Sequence, residues 1–264
     1  MVFDLSSKTH IIMDCDGVLW KGNQPVPGAR ETLEQLEQQG FQLGFVTNNS
    51  SLSRNGFSQK FLNLGFNSEN YTILNSGYGA AVHLKENSLT KIFMIGELGL
   101  KEELEKQNLI VSEVYNENLQ AVCIGWDRDL TWAKLADGMW VILKNKGIFL
   151  ATNPDNSFPF ENRLVPGAGA GIAALANACG KEPDIMIGKP SPYLLNLAME
   201  EMDCKDSSKA VFIGDRLSTD IKAGINAKMD TILVTKTGIS EHHLKKTILP
   251  TYTLESIAKI DALL

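Results

Sequence analysis

Long apolar runs, closely spaced cysteines and clusters of basic residues are all missing from this 264-residue chain, and each absence closes off a class of protein. No stretch approaches the roughly 18 consecutive apolar residues that a bilayer crossing requires, so no membrane role is expected. Residues 1–10 carry neither a positive segment followed by an apolar one nor an Arg-rich amphipathic pattern. No secretory or organellar address is therefore expected, and the cytoplasm is the expected compartment. Cys15, Cys123, Cys179 and Cys204 lie far apart, which argues against both a disulfide framework and a zinc site. A formal net charge of -6 without a Lys/Arg cluster disfavours a nucleic-acid surface, which needs many cations facing phosphates. A small anion can still be held by a few local charges. Internal repeats and low-complexity tracts are also absent.

What the chain does contain is a series of short apolar runs rich in Ile, Val and Phe: 10–13, 41–46, 72–74, 91–95, 121–124, 148–151, 184–187, 210–213 and 231–234. Helix-period segments lie between them, with Ala29, Leu33 and Leu36 on one face and Leu194, Leu197 and Ala198 on another. Strands alternating with helices predict an α/β protein, a doubly wound parallel sheet covered on both faces. Pro27-Gly28 and Gly40 bracket the first helix, and Ser191-Pro192 opens a later one.

Polar residues stand where four of the apolar runs end: Asp14-Cys15-Asp16-Gly17, Thr47-Asn48-Asn49, Gly188-Lys189-Pro190, and Gly214-Asp215 followed by Asp220. Ligands of an open parallel sheet bind outside the carboxyl ends of its strands, so these stations can converge on one crevice. Crowded carboxylates repel unless a positive charge sits among them, and Mg²⁺ with its hard oxygen ligands is the natural solution. Lys189 supplies a second positive charge, while Thr47, Asn49 and backbone N–H groups at a helix start can cradle phosphoryl oxygens. Of the pair Asp14 and Asp16, one carboxylate can attack phosphorus while the other protonates the leaving alcohol and then activates water. A metal-bound Asp14 stays ionised, and an Asp16 shielded from the metal can carry the proton.

These four motifs, together with the string CDGVLWKG from Cys15 to Gly22 and the stretch GDRLSTD, resemble those of the haloacid dehalogenase (HAD) superfamily, and the match spans nearly the whole chain. Within it the chain is most similar to the capped p-nitrophenyl phosphatase, phosphoglycolate phosphatase and NagD-type subfamily. The resemblance implies a Rossmann-like core over 1–87 and 184–264, with a smaller α/β cap domain inserted at 88–183. It implies that Asp14 is the nucleophile and a metal ligand, and that Asp16 is the acid/base and binds Mg²⁺ through its backbone carbonyl. Thr47 and Lys189 would hold the phosphoryl group with Asn48 and Asn49 beside them; Asp215 would complete the metal site, and Asp220 would stand behind it. Capping a helix is the other reading of Asp220. A homodimer paired through the cap and a substrate-specificity loop over 151–159 are further implications.

Other readings compete. A receiver domain phosphorylates a strand-end Asp but needs about half this length and no Asp16, and a carbon-attacking dehalogenase typically lacks Asp16 and the metal. A binding module that had lost its chemistry would not be expected to keep Asp14, Asp16, Lys189 and Asp215 together. A phosphotransferase keeps the same residues, as does a phosphatase of nucleotide or pyridoxal phosphate. Phe158 stands where a polar residue such as His is expected in an enzyme gripping pyridoxal phosphate, which favours phosphoglycolate or p-nitrophenyl phosphate as the small phosphorylated metabolite. Trp126, Trp132 and Trp140 are expected to pack a core or an oligomer interface. Cys15 is expected to be a buried, inert thiol.

Overall fold

The computed structural model describes residues 4–160, 163–235 and 248–264. They fall into two compact units: the described parts of 1–47, 58–74 and 189–264 form the first, and 48–57 with 75–188 form the second.

The first unit is built on strand His10–Met13, whose residues are all buried, flanked by Ala210–Gly214 on one side and Gln42–Thr47 on the other, both parallel and in register from residue 10. Asp230–Val234 and Tyr252–Leu254 extend the sheet in parallel beyond Ala210–Gly214, and Thr72–Asn75 borders Gln42–Thr47. Strands covered on both faces are written as continuous apolar runs, which is why this sheet follows the expected segments closely. Helix Ala29–Gln38 buries Ala29, Leu33 and Leu36. Gly28 enters this helix at φ +80°, where any Cβ would meet that of Ala258 at 2.7 Å, and Gly40 leaves it at φ +89°.

An aromatic cluster braces the same unit. Phe61 meets Trp20 edge-on at 4.9 Å and Phe45 at 4.8 Å, and Phe66 and Tyr71 close the group. Each such pair contributes roughly 0.5–1.5 kcal/mol beyond simple burial, so Trp20 is firmly placed at the mouth of the first strand-end loop.

The second unit has its own parallel sheet, in the order Ile185–Met186, Ile148–Ala151, Ala121–Ile124, Lys91–Ile95 and Ile110–Ser112. Helices Trp132–Leu143 and Ala168–Cys179 cover it over a core that includes Phe93, Val122, Ile124, Phe149 and Leu175. Strands Ser157–Phe160 and Arg163–Pro166 pair antiparallel, and Phe158 packs on Trp126 at 4.9 Å. Of the three tryptophans, Trp126 is buried and donates Nε1–H to the Pro166 carbonyl at 2.9 Å. Trp132 is 85% exposed, and the half-exposed Trp140 meets Tyr115 edge-on at 5.5 Å, so packing within this unit accounts for Trp126 and in part for Trp140.

Helix Ser76–Glu86 and the segments 48–57 and 184–188, expected in the core from sequence, group with the second unit. The reason is physical. Ser76–Glu86 packs on helix Leu98–Lys106, and the backbone at Ser51 and Leu52 passes so close to Gly99 that a Cβ there would lie 2.4 Å from Leu52. The fully buried Glu103 accepts the backbone N–H of Arg54, and Asn75 Nδ2 donates to the Leu52 carbonyl at 2.9 Å. Among the described residues no helix is long and apolar enough to cross a membrane.

Candidate active site

Parallel strands put their carboxyl ends side by side, and the first unit uses this to gather charge. Asp14 directly follows strand His10–Met13, and its N–H donates to the Ile213 carbonyl of the neighbouring strand at 2.8 Å. Asp215 directly follows Ala210–Gly214. Asp220 sits in a single wide turn, Leu217–Ile221, of the π type that recurs at functional sites. Asp14, Asp215 and Asp220 each offer an oxygen within 4.8 Å of the others.

Lys189 is driven into this group. Its buried ammonium donates to Asp14 Oδ1 at 2.5 Å and to the Val46 carbonyl at 3.2 Å, and it pairs with Asp220 Oδ1 at 2.8 Å. Burial opposes its charge, but Asp14 and Asp220 outweigh that and hold its pKa above the ordinary lysine range. Burial likewise pushes the Asp14 carboxyl well up despite the pull of Lys189, and Asp220 and Asp215 add to the rise. Asp215 is raised to about 6 by burial and then by Asp220. One lysine against three carboxylates leaves the cluster short of positive charge.

Two glycines make room for this approach. Gly17 has φ +94°, and a Cβ there would stand 2.1 Å from Asp215 Oδ2. A Cβ on Gly214 would lie 2.2 Å from that of Asp220. Asp220 Oδ2 accepts the N–H groups of Asp215 and Arg216 at 3.2 and 3.0 Å, so this carboxylate fixes the Asp215 loop as well as pairing with Lys189. Its contacts go beyond the helix cap considered from sequence.

Asp16 is turned elsewhere. Its Oδ1 accepts Trp20 Nε1–H at 3.0 Å and lies 3.8 Å from Lys60 Nζ, while Oδ2 is buried without a protein hydrogen bond. The carboxylates gathered at metal-binding distance are thus Asp14, Asp215 and Asp220, and the side chain of Asp16 is not among them. Thr47, the last residue of its strand, is buried in the same unit. Asn48 and Asn49 belong to the second unit. There Asn48 Nδ2 donates to Asp155 Oδ2 at 3.0 Å, and Asn49 Oδ1 accepts Ser51 N–H at 2.8 Å. Cys15 is fully buried, and burial with its two acidic neighbours keeps it a thiol.

A family model described as haloacid dehalogenase-like hydrolase matches residues 11–110, and a second, HAD-hydrolase-like model matches 186–260. A 4-nitrophenylphosphatase of Schizosaccharomyces pombe is 32% identical over 94% of this chain and 92% of its own length. The chain belongs to the haloacid dehalogenase-like hydrolases. It is a phosphoric monoester hydrolase with the Rossmann-like fold of that family. The solved 4-nitrophenylphosphatase of Thermotoga maritima superposes with a TM-score of 0.89 at 30% identity, covering 98% of this chain and 99% of that one. A glycerol phosphate phosphatase of Mycobacterium tuberculosis, solved in complex with magnesium, gives 0.86 at 28% identity over 97% of this chain and 78% of its own. Other relatives at 31–33% identity are named glycerol-3-phosphate phosphatase, phosphoglycolate phosphatase and acid sugar phosphatase. Overall likeness therefore fixes the phosphatase class and leaves the substrate open.

In this phosphatase, sequence reasoning passed over Trp20 and Lys60, the two groups that hold Asp16. Trp20 had a signal, standing four residues after Asp16 at the end of a buried turn. Lys60 had none, because only the fold brings its helix, Arg54–Asn63, to this loop.

Proposed function

We propose that this enzyme hydrolyses small phosphomonoesters with Mg²⁺ bound at Asp14 and Asp215 and with Asp220 standing behind them, through a phosphoryl group carried on Asp14. The observation that carries this reading is the Asp14–Lys189 contact of 2.5 Å inside the three-carboxylate cluster. The donor set is all hard oxygen and carries excess negative charge, which suits Mg²⁺ and not a softer metal. The Asp16 backbone carbonyl remains a further ligand in this proposal. Bound there, Mg²⁺ supplies positive charge to the phosphoryl oxygens and lowers their repulsion of the nucleophile.

Asp14 attacks phosphorus as the bond to the leaving oxygen breaks, and Asp16 gives that oxygen its proton, releasing an alcohol. Asp16, now ionised, takes a proton from a water that attacks phosphorus, so that inorganic phosphate leaves and Asp14 is restored. The hydrogen bond from Trp20 holds Asp16 in one orientation, and its unpartnered Oδ2 is the atom left for proton transfer. Thr47 and Lys189 orient the phosphoryl oxygens, and Lys189 also balances charge on Asp14. Phosphoglycolate and p-nitrophenyl phosphate are the preferred substrate types. Phe158 supports this choice, since it packs on Trp126 and offers no hydrogen bond to a polar ring.

The test is phosphate release from p-nitrophenyl phosphate, phosphoglycolate and pyridoxal phosphate, with Mg²⁺ and with excess chelator. Hydrolysis should require Mg²⁺, and Asp14→Asn should abolish it while leaving the melting temperature near that of the wild type. Substantial turnover by Asp14→Asn would remove Asp14 as nucleophile.

A further inference from the structure

The chain passes between the two units four times, and two of these crossings are Thr47/Asn48 and Gly188/Lys189. Both residues proposed to hold the phosphoryl group are therefore the last residues of the first unit at a crossing. What grips the other side of these two crossings is a single hydrogen-bonded cluster within the second unit. The Asn48 carbonyl accepts Ser76 Oγ–H at 2.5 Å and Asn153 Nδ2–H at 2.9 Å. The Asn48 side chain donates to Asp155 Oδ2 at 3.0 Å, and Asp155 N–H returns to Asn153 Oδ1 at 3.2 Å.

Gly188 enters the same cluster. Its N–H donates to the Thr152 carbonyl at 2.7 Å, and a Cβ at Gly188 would lie 2.6 Å from both Asn48 Oδ1 and that carbonyl. Ser76 and Thr152 are fully inaccessible and Asn153 nearly so, so the two bonds accepted by the Asn48 carbonyl form away from solvent, while that to Asp155 lies at the edge of the cluster. Buried polar groups of this kind are costly to leave unpaired, which makes the arrangement strongly specified.

We infer that Asn48 and Asp155 are positioning residues: their hydrogen bond ties the segment after strand Ile148–Ala151 to the crossing at Thr47/Asn48, the Gly188 N–H on the Thr152 carbonyl ties the same segment to the crossing at Gly188/Lys189, and so the segment sets where Thr47 and Lys189 present their polar atoms to the phosphoryl group. This rests on the catalytic reading above, in which Thr47 and Lys189 act on phosphorus. It gives Asn48 a task beyond the one expected from sequence, since one of its two amide N–H groups donates to Asp155. Misplacement of an orienting group by about 1 Å can cost up to 10²-fold in rate, so a partial loosening of the crossings should be visible in turnover.

The experiment is steady-state hydrolysis of p-nitrophenyl phosphate at saturating Mg²⁺ by Asn48→Ala, Asp155→Ala, the double variant and Asp155→Asn, with Asp14→Asn alongside. Each alanine variant should lose on the order of tenfold in kcat with KM changed less than about threefold, and the double variant should be no slower than the worse single. Asp155→Asn should recover to within about twofold of wild type, because its carbonyl accepts the same bond. Asp155 is partly exposed, so its replacement leaves a place water can fill, and melting curves confirm that the variants are folded. Multiplying losses in the double variant, a loss confined to KM, or an Asp155→Asn as slow as Asp155→Ala would each overturn the inference. Those results with an inactive Asp14→Asn leave the catalytic reading standing, whereas an active Asp14→Asn brings that reading down by itself.

Discussion

Gly17→Ala isolates the geometry of the acidic cluster, because Gly22→Ala provides an internal control five residues away. Both glycines have positive φ, +94° and +60°, so alanine at either should cost about 1–2 kcal/mol of backbone strain. For a protein of this size that is a loss of a few degrees in melting temperature. The side-chain consequences differ. The new methyl at position 22 meets nothing within 4 Å, whereas at position 17 it would stand 2.1 Å from Asp215 Oδ2 and 2.5 Å from its carboxyl carbon. Asp215 must then retreat by roughly 1 Å, a displacement that can cost up to about 10²-fold in rate at a reacting centre. Gly17→Ala should therefore lose on the order of 10²-fold in kcat/KM at limiting Mg²⁺, with partial recovery as Mg²⁺ is raised. Gly22→Ala should keep nearly full activity. The assay is p-nitrophenyl phosphate hydrolysis across a Mg²⁺ titration, paired with melting curves. Equal activity of the two variants would refute the argument that Gly17 exists to admit Asp215.

Two further outcomes follow from the charges. Lys189→Ala leaves Asp14 and Asp220 buried without their cation, and breaking such a pair costs about 3–5 kcal/mol, so in chelator its urea midpoint should fall clearly as activity is lost; an unchanged midpoint would count against the pairing. Asp215, raised to about 6 from the ordinary 3.8, holds a proton in the fold at pH values where the unfolded chain has released it. Its contribution to stability is therefore present at low pH and falls as pH rises through that window. Without Mg²⁺, acidification from about pH 7 to 5 should stabilise the wild type relative to Asp215→Asn. Melting curves of the two proteins that stay parallel across this range would contradict the assignment.

How much of this was legible in the sequence depends on what each feature is made of. Strands buried on both faces write themselves as apolar runs, so His10–Met13, Lys91–Ile95 and Ala121–Ile124 fall where the pattern put them. Strands Trp20–Lys21, Ile110–Ser112, Ser157–Phe160 and Tyr252–Leu254 leave no such mark. They are short, and Ile110 is 63% exposed, so no continuous apolar face was available to read. The strand-end polar residues were visible as a series, and the fold gathers Asp14, Asp215, Asp220 and Lys189 from it.

Pairings between distant residues were not legible. The five-residue step from Asp215 to Asp220 allows either a helix cap or a partner for Lys189, and the choice is made by a wide turn and by the missing Cβ of Gly214. Likewise, nothing in two adjacent asparagines after a strand says that the amide of Asn48 also reaches Asp155, 107 residues away, or that Asn49 folds back on Ser51. The same contacts explain why no linker marks the crossings at Thr47/Asn48 and Gly188/Lys189. A Pro- or Ser-rich linker belongs where a crossing hangs free, and here Asn48 and Gly188 are held side by side by buried hydrogen bonds and close packing. A crossing fixed in this way needs ordinary residues with specific partners, and such partners exist only once the chain has folded.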